Sequence, residues 1–449
     1  MNIRKLVKRI IPVGLFVTIE PYGHLAEAVL FNALNGFPSR GLKVIGVTGT
    51  NGKTTTSFLI HRMLVEAGYN AGLMTTVAYG VGKNIKPQVE HMTSVDVPTL
   101  MKRMKEMKRQ GADYVVLETT SHALAQHRVW GVPYSVAVLT NLTHEHLDYH
   151  KTFERYRDAK RMMFKKADRN RKGLRAGVIN VDDENARFFA GDIKYPLLYG
   201  IKDGDLRAEN VKLGSDGVEY DVKTGGEALH ITTHLPGSFN VYNSLAAVGV
   251  GQLLGLSGEQ IERGIAALTG VEGRMMHIDE GQDFDVIVDY AHTPDSFEKL
   301  FKDLKPVVKG KLIVMFGSAG RRDEAKRDVQ GGLAGKYADE VVVTEEDDRD
   351  MDGQEIMEQI AAGAEKAGKT RDKDLFLVHD RAEAIGFTIK RAGKDDVVML
   401  LGKGHEKDIL RNGPRAAELR HMQQDDHNPE RVREDPWDEV ATVRAALKQ

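Results

Sequence analysis

The 449-residue sequence contains no cysteine. That excludes a disulfide framework, Cys-ligated zinc, thiol redox chemistry and a cysteine nucleophile, and it suits a reducing cytoplasm. Net charge is nearly absent: 63 Lys and Arg against 65 Asp and Glu leave −2, so no global field draws nucleic acid to the chain. No stretch reaches the roughly 18–20 uninterrupted apolar residues of a spanning helix. The nearest, Ile10 to Ile19, is broken by Pro12 and Gly14. Hydrophobic residues at 41% and charged ones at 29% describe a globular protein long enough to bury its own core. At about 150 residues per domain, the length suggests three domains. The 45 glycines exceed the ordinary share of about 7% and point to backbone-tight loops.

Charge is uneven at the front. Arg4, Lys5, Lys8 and Arg9 precede the apolar run, and no acid occurs before Glu20. On a helix, Ile3, Leu6, Val7 and Ile10 share one face with the four cations largely opposite. The pattern reads either as a helix lying on a membrane surface or as an amphipathic helix packed on the next domain, the commoner of the two. No convincing small-residue cleavage site follows to make it a signal peptide.

Further along, strands and helices alternate. Leu42 to Val47 reads as a strand, Ser57 to Ala67 as a helix ending at Gly68, and Tyr114–Leu117, Ser135–Leu139 and Gly177–Asn180 as further strands. Helical patterns at Thr99–Gln110 and Thr152–Lys166 separate them, which argues for a parallel α/β sheet. Residues 206 to 235 alternate polar and apolar around glycines and read as an antiparallel insertion. A second α/β rhythm runs through Asp285–Val288, Leu312–Phe316, Glu340–Val343, Leu375–Val378 and Val397–Leu401. The boundary falls near Gly273, giving a front segment 1–40, a central domain 41–272 and a C-terminal domain 273–449, the last Rossmann-like. Residues 345–352 carry six acids in eight positions.

The strongest local signal is Thr48-Gly49-Thr50-Asn51-Gly52-Lys53-Thr54-Thr55, between a strand and a helix. Glycines let backbone N–H groups close around phosphate, and a helix N-terminus adds partial positive charge. Lys53 can reach terminal phosphates and the Thr54 hydroxyl can hold Mg²⁺. The spacing departs from G-x4-G-K-T, since Val47 stands where the first glycine is expected. Alone, the loop indicates nucleotide binding.

The loop resembles the ATP loop of the Mur ligases, amide-forming enzymes of cell-wall synthesis. Further similar segments follow in the family's order. They are Glu118-Thr119-Thr120-Ser121-His122-Ala123-Leu124 with Gln126-His127-Arg128, Thr140-Asn141-Leu142-Thr143-His144-Glu145-His146-Leu147-Asp148-Tyr149-His150, and Ala159-Lys160. Asn180-Val181-Asp182-Asp183, Gly237 to Asn243, Gly273-Arg274-Met275, Asp289-Tyr290-Ala291-His292-Thr293-Pro294-Asp295 and Gly402-Lys403-Gly404-His405-Glu406 complete the series. The last of these is similar to the MurE type, which adds the third residue of the stem peptide.

The resemblance implies a P-loop ATPase domain followed by a domain for the incoming amino acid. It implies an acceptor carboxylate phosphorylated by ATP and attacked by an amine, with ADP and phosphate released. Gly49, Thr50, Asn51, Gly52, Lys53, Thr54 and Thr55 would hold ATP, and Thr54 and Glu118 would hold Mg²⁺. His146 corresponds to the family's ligand for a second metal; His144, His146 and His150 by themselves also suggest zinc, which no other motif supports. Lys160 matches a lysine that the family carbamylates to N6-carboxylysine. Asn243, Asp289, Arg274 and His292 would serve the nucleotide. Ser121, His122, Arg128, Arg349, Gly402 and Glu406 would contact substrate. Catalysis would rest on Lys53, Glu118, His146 and Lys160.

Two departures matter. The family's D-N-P-R segment for diaminopimelate reads Glu346-Asp347-Asp348-Arg349, whose acids suit a cationic side chain such as lysine or diaminopimelate or form a solvated loop. The family also devotes about a hundred residues before the ATP loop to the UDP end of the acceptor, and only 47 precede Thr48. Either UDP recognition is weak or comes from another subunit, or the muramoyl-peptide acceptor is not the usual UDP-linked one; if residues 1–20 lie on a membrane, a lipid-linked precursor is the alternative acceptor. The stretch Arg415–Glu434 is an addition of unassigned role. Folylpolyglutamate- or cyanophycin-type ligases are the near alternatives. A non-catalytic ATP-binding scaffold is the alternative of another class, disfavoured by the joint presence of Lys53, Glu118, His146 and Lys160. A cytoplasmic enzyme, at most peripheral on a membrane and without a nucleic-acid partner, is the expectation.

Overall fold

The computed structural model describes residues 13–88, 94–143, 145–214, 216–223, 228–419 and 428–449, with side chains from residue 21 onward except 147 and 148. The expected helix over residues 3–10 and the side chain of His144 lie outside the described residues. The chain divides into two compact units. One holds most residues up to Leu268; the other holds Thr269–Gln449 with the short segments 212–218 and 234–238.

In the first unit, helix α1 (Val13–Leu34) leads to strand β1 (Lys43–Thr48), the apolar run before the glycine loop, and then to α2 (Lys53–Glu66). The helix begins four residues earlier than its apolar periodicity suggests. Thr54, Thr55 and Thr56 are β-branched or polar and mimic a loop in sequence, yet all three are buried in the first turn. Three four-residue strands, β2 (Ala71–Met74), β3 (Ala78–Val81) and β4 (Asn84–Pro87), form an antiparallel edge that the sequence reading lacked. Strands this short carry too few residues to show a period.

Helix α3 (Val97–Arg109), β5 (Tyr114–Glu118), α4 (Ser121–Ala125), β6 (Tyr134–Leu139), α5 (Leu147–His150) and α6 (Phe153–Arg169) follow. Then come β7 (Ala176–Asn180), α7 (Ala186–Ala190), β8 (Tyr195–Gly200), β9 (Leu206–Leu213), β10 (Val218–Lys223) and β11 (Leu229–Thr233), with α8 (Ser238–Leu253) and α9 (Gly258–Ala266) last. The eleven strands form one sheet ordered β11-β10-β9-β8-β7-β6-β1-β5-β2-β3-β4. From β8 through β6, β1 and β5 to β2 it is parallel, and its central strands β1, β5 and β6 are buried, Val-rich runs as a covered sheet requires. The connections between β9, β10 and β11 are too short for parallel crossovers, which fits the expected antiparallel insertion.

The second unit is a six-stranded sheet ordered β12 (Met276–His277), β13 (Asp285–Asp289), β17 (Val397–Leu401), β14 (Leu312–Phe316), β15 (Glu340–Val343) and β16 (Leu375–Leu377). All pairs are parallel except β12 with β13. Helices α10 (Pro294–Leu304), α11 (Ala325–Tyr337), α12 (Gly353–Lys366) and α13 (Arg381–Ile389) connect them. The added stretch starts after β18 (Asp408–Asn412), includes α14 (Ala416–Leu419) and returns as β19 (Val432–Pro436), which pairs antiparallel with β18. Helix α15 (Glu439–Leu447) ends the chain. Among the described residues, no helix is long and apolar enough to cross a membrane.

Candidate functional site

In the first unit β1 lies between β5 and β6, with Val47 opposite Glu118 and Thr48 opposite Leu139. The chain leaves β1 toward both sides of the sheet, and open α/β sheets form a crevice at such a switch point. Register therefore brings three segments to one edge: the glycine loop after β1, Glu118 at the end of β5, and Thr140-Asn141 after β6.

The loop is tightly cradled. Gly49 has φ +152° and Gly52 φ +82°, and Cβ atoms there would collide with Thr140 Oγ1 and Asn243 Oδ1. Asn141 grips both backbone polar groups of one loop residue: its Oδ1 accepts from Asn51 N at 2.9 Å and its Nδ2 donates to Asn51 O at 3.0 Å. Thr140 Oγ1 donates to the same carbonyl at 2.6 Å. Thr50 Oγ1 meets Tyr156 OH at 3.0 Å and accepts from Thr143 N at 2.9 Å. Asn243, on α8, accepts from Thr56 Oγ1 at 3.2 Å and donates to Asn240. Lys53 donates to Gly49 O and Thr50 O at 3.1 and 2.7 Å.

Beside the loop, Glu118 is 2% exposed and is not a solvated strand-end acid. Its Oε2 accepts from Thr54 Oγ1 and from Thr76 N, each at 3.0 Å. A hydroxyl and a carboxylate held together offer the hard oxygens that Mg²⁺ prefers. The Thr54–Glu118 pair and the glycine cradle thus fit a nucleotide and its divalent ion.

Lys160 lies on the apolar stripe of α6 with Tyr156, Ala159, Met163, Phe164 and Ala167, and it is 2% exposed. Its Nζ donates to Gly49 O at 2.6 Å and sits 4.6 Å from the centre of the Tyr156 ring. Burial pushes its proton affinity well below that of an ordinary lysine, and the Lys53 charge adds to the effect, against the pull of Glu145 and Glu118. Next to it stands a ring cluster. His122 lies 4.7 Å from His146, 4.4 Å from Tyr149 and 5.3 Å from His150. Exposed His146, with φ +56°, is 3.7 Å from Glu145, and buried His150 bonds Ser121 Oγ at 3.0 Å. Arg128 is buried and donates to Ser94 O.

The second unit gathers the remaining candidates around the ends of β13, β15 and β17. Asp289 accepts from Met275 N and Ala291 N, both at 2.7 Å, and burial raises its pKa. The Arg274 guanidinium stands 4.7 Å from the Tyr290 ring centre, and His292 Nδ1 meets Tyr290 O at 2.9 Å. Lys403 donates to Glu406 at 2.6 Å and to Asp347 at 2.9 Å, while Tyr290 OH donates to Glu406 at 3.1 Å.

The acidic run is not a solvated loop. Glu345 to Asp350 are all buried, and cations from distant segments meet them. Arg411 takes Glu345 through both oxygens, Arg321 and Arg431 take Asp350, and Lys403 takes Asp347. Arg349, φ +55°, spends one nitrogen on Gly320 O at 3.0 Å. Glu346 is the exception: Oε2 is buried without a hydrogen-bond partner, close to where a Cβ on Gly402 (φ +103°) would stand. Burial first, then the charges of Asp347 and Glu406, lift its pKa to about 7 against Lys326 and Lys403. A cleft of about 510 Å³ in this unit is lined by Asp348, Gly353, His379 and Asn412, among others. Glu345, Asp348 and His379 place three ligand atoms within 4.8 Å, but Arg411 already occupies both Glu345 oxygens and His379 bonds Asp348 at 2.7 Å.

Sequence reasoning passed over Asn141, Thr140 and Tyr156 as individual functional residues, and it read Glu346 only as one member of an acidic cluster. Asn141 and Thr140 lie inside the Thr140–His150 segment that resembles the family's, and Tyr156 is one turn before Lys160 on the same face, so spacing alone could have found it.

Comparison with known proteins returns the Mur ligase middle domain over residues 47–251 and the Mur ligase, glutamate ligase domain over 273–404. The chain is 39% identical over 441 residues to the UDP-N-acetylmuramyl-tripeptide synthetase of Roseiflexus sp. (strain RS-1), covering 96% of this chain and 83% of that one. It is 38% identical over 388 residues to UDP-N-acetylmuramoyl-L-alanyl-D-glutamate–2,6-diaminopimelate ligase 1 of Clostridium acetobutylicum, covering 86% and 77%. A solved structure of a ligase of the latter kind superposes with TM-score 0.65 at 28% identity over 96% of this chain and 82% of that one. The Mycobacterium tuberculosis folylpolyglutamate synthase, solved with ADP and AMPPCP, shares the fold at TM-score 0.69 and 17% identity over 84% and 92%.

Proposed function

The chain belongs to the Mur ligase family, and from that premise we propose that it is an ATP-dependent, ADP-forming ligase of the tripeptide-synthetase type in peptidoglycan synthesis. The acceptor carboxylate attacks the terminal phosphorus of ATP, giving an acyl phosphate and ADP. An amino-acid amine then attacks the acyl carbon, phosphate leaves, and the nitrogen sheds a proton. The observation that carries the reading is the convergence of Lys53, Thr54, Glu118 and Lys160 on one cradled loop, a set that a scaffold does not need.

In this reading the loop amides and Lys53 bind the phosphates, and Thr54 and Glu118 would hold Mg²⁺, whose charge would offset that of the phosphates. Asn141 and Asn243 keep the loop rigid, and preorganised donors lose no energy to rearrangement during the reaction. Lys160 carries the carbamate, and His146 serves a second metal. His122, Ser121 and Arg128 face the acceptor. The second unit takes the amino acid: Glu406 and Arg349 engage its amine and carboxylate, Gly402 leaves room beside Glu346, and Arg274, Asp289 and His292 serve the nucleotide. The domain division at 40/41 and 272/273 belongs to the same proposal. So does peripheral membrane contact through residues 1–20, which would bring the enzyme to a lipid-linked acceptor.

The test measures ADP and phosphate release while UDP-linked and lipid-linked muramoyl dipeptides are crossed with lysine, diaminopimelate and neutral amino acids. Turnover is expected only with a complete pair. ATP hydrolysis that ignores every pair would sink the ligase reading.

Glu346 adds a pH dependence. Its folded pKa is raised to about 7, so its proton favours the fold at lower pH and that contribution is lost as pH rises through about 7. Above that pH the bare carboxylate attracts a cationic side chain. The KM for lysine or diaminopimelate is expected to fall about tenfold between pH 6 and 8, following the ionised fraction. Glu346→Gln should flatten the profile, and an unchanged profile would remove Glu346 from the amino-acid site.

A further inference from the structure

The helix that opens the described chain carries a surface unused by the ligase chemistry. On α1, His24, Ala28 and Asn32 face inward, and Asn32 Nδ2 ties the helix to the body through Trp130 O at 3.1 Å. The outward face runs through Tyr22, Ala26, Val29, Leu30, Ala33 and Leu34, all exposed. Their spacing makes one continuous stripe along the helix, and no charged side chain interrupts it. Tyr22 and Leu34 are each 69% exposed and Leu30 54%. Four of the seven exposed large hydrophobic residues among the described residues lie on this one face. Scattered exposed apolar residues are ordinary on a soluble surface, but a contiguous stripe marks a docking surface.

We infer that this face of α1 seats the protein on an anionic lipid surface. Charge selects that occupant. The sequence immediately before the helix holds Arg4, Lys5, Lys8 and Arg9 with no acid before Glu20. Each cation near an anionic membrane strengthens binding about fivefold, whereas a second copy of the same segment would be repelled. A helix with an apolar stripe and a cationic lead-in lies in the headgroup plane rather than crossing it, and Tyr22 offers the amphipathic ring common at that depth. The inference deepens the peripheral membrane contact of the proposed function, rests on the apolar face of α1 together with the cations that precede it, and stands or falls separately from the amide chemistry.

The experiment is vesicle flotation of the full chain with phosphatidylglycerol–phosphatidylcholine vesicles and with phosphatidylcholine alone. The wild type is expected to float with the anionic vesicles and weakly with the neutral ones. A Leu30→Glu/Leu34→Glu double variant should lose at least about tenfold in partitioning while melting as the wild type does. If the double variant melts early, a variant with Arg4, Lys5, Lys8 and Arg9 each changed to Gln decides by the same loss. Undiminished flotation of the variants, or no flotation of the wild type, would overturn the inference. A dimer in sedimentation equilibrium that the double variant abolishes, without vesicle binding, would overturn it in favour of a second copy.

Discussion

Lys160→Ala is expected to lower the rate of ligation by about 10²–10³-fold, the scale seen when one preorganised electrostatic group is removed. The geometry explains why this amine is unusual. It lies on the buried stripe of α6 and bonds a loop carbonyl at 2.6 Å, where burial and the Lys53 charge disfavour its protonation. A neutral amine can attack CO₂. The nitrogen bonds to the carbon, one proton leaves, and the neutral amine becomes an anion near Glu118 and the phosphate loop. Depleting CO₂ from wild-type enzyme should therefore slow turnover, and bicarbonate should restore it. The Ala variant should stay slow at any bicarbonate concentration. Wild-type turnover that ignores CO₂ removal would eliminate the carbamate, and full activity in Lys160→Ala would eliminate the residue.

Stability supplies a second readout. Because the folded pKa lies below the unfolded value of 10.5, the unfolded chain binds the extra proton, and stability rises with pH up to about that value. Lys160→Met removes this slope. A lysine kept for folding would not behave so; one kept for chemistry at a cost in stability would.

How legible these features were in the sequence depended on how local their causes are. The β1, β5 and β6 runs were plain because strands buried on both faces must be continuous apolar stretches, and the glycine loop was plain because its two positive-φ glycines have no substitute. Lys160 could be placed inside by periodicity, since Tyr156, Met163 and Phe164 define its stripe. The acidic run 345–350 was not legible. Its composition suits a cation site or a solvated loop equally, and only the arrival of Arg321, Arg411, Arg431 and Lys403 from remote segments makes burial possible. Asn243 was named for a nucleotide role by resemblance, and its contact with the loop depends on where α8 passes Gly52, which no local pattern encodes. The edge strands β2 to β4 were missed for the opposite reason: they are local, but too short to have a period.

Glu439→Gln is expected to destabilise the second unit by about 3–5 kcal/mol, the scale for stranding one member of a buried ion pair. Arg381 and Glu439 are both 0% exposed and pair at 2.6 and 2.8 Å, and Trp437 Nε1 donates to the same carboxylate at 2.7 Å. The guanidinium also donates to Glu345 O at 3.0 Å and to Leu401 O at 2.9 Å. The pair thus joins the terminal helix α15 to the segments that carry Glu346 and Gly402. Without Glu439's charge the guanidinium keeps its backbone bonds but loses its hydrogen-bonded counter-ion in a site where water cannot replace it, and Glu345 and Glu346 act on it only through space. Denaturant unfolding should show the loss. The KM for the amino acid should rise, since Glu345 and Leu401 adjoin Glu346 and Gly402 of its proposed site. Replacing both partners with apolar residues, as in Arg381→Met/Glu439→Leu, should recover much of the stability without recovering that KM, because a well-packed apolar pair removes the stranded charge but not the need to anchor two carbonyls. A loss below about 1 kcal/mol in Glu439→Gln would show that the guanidinium reaches solvent, and the anchoring role would fall with it.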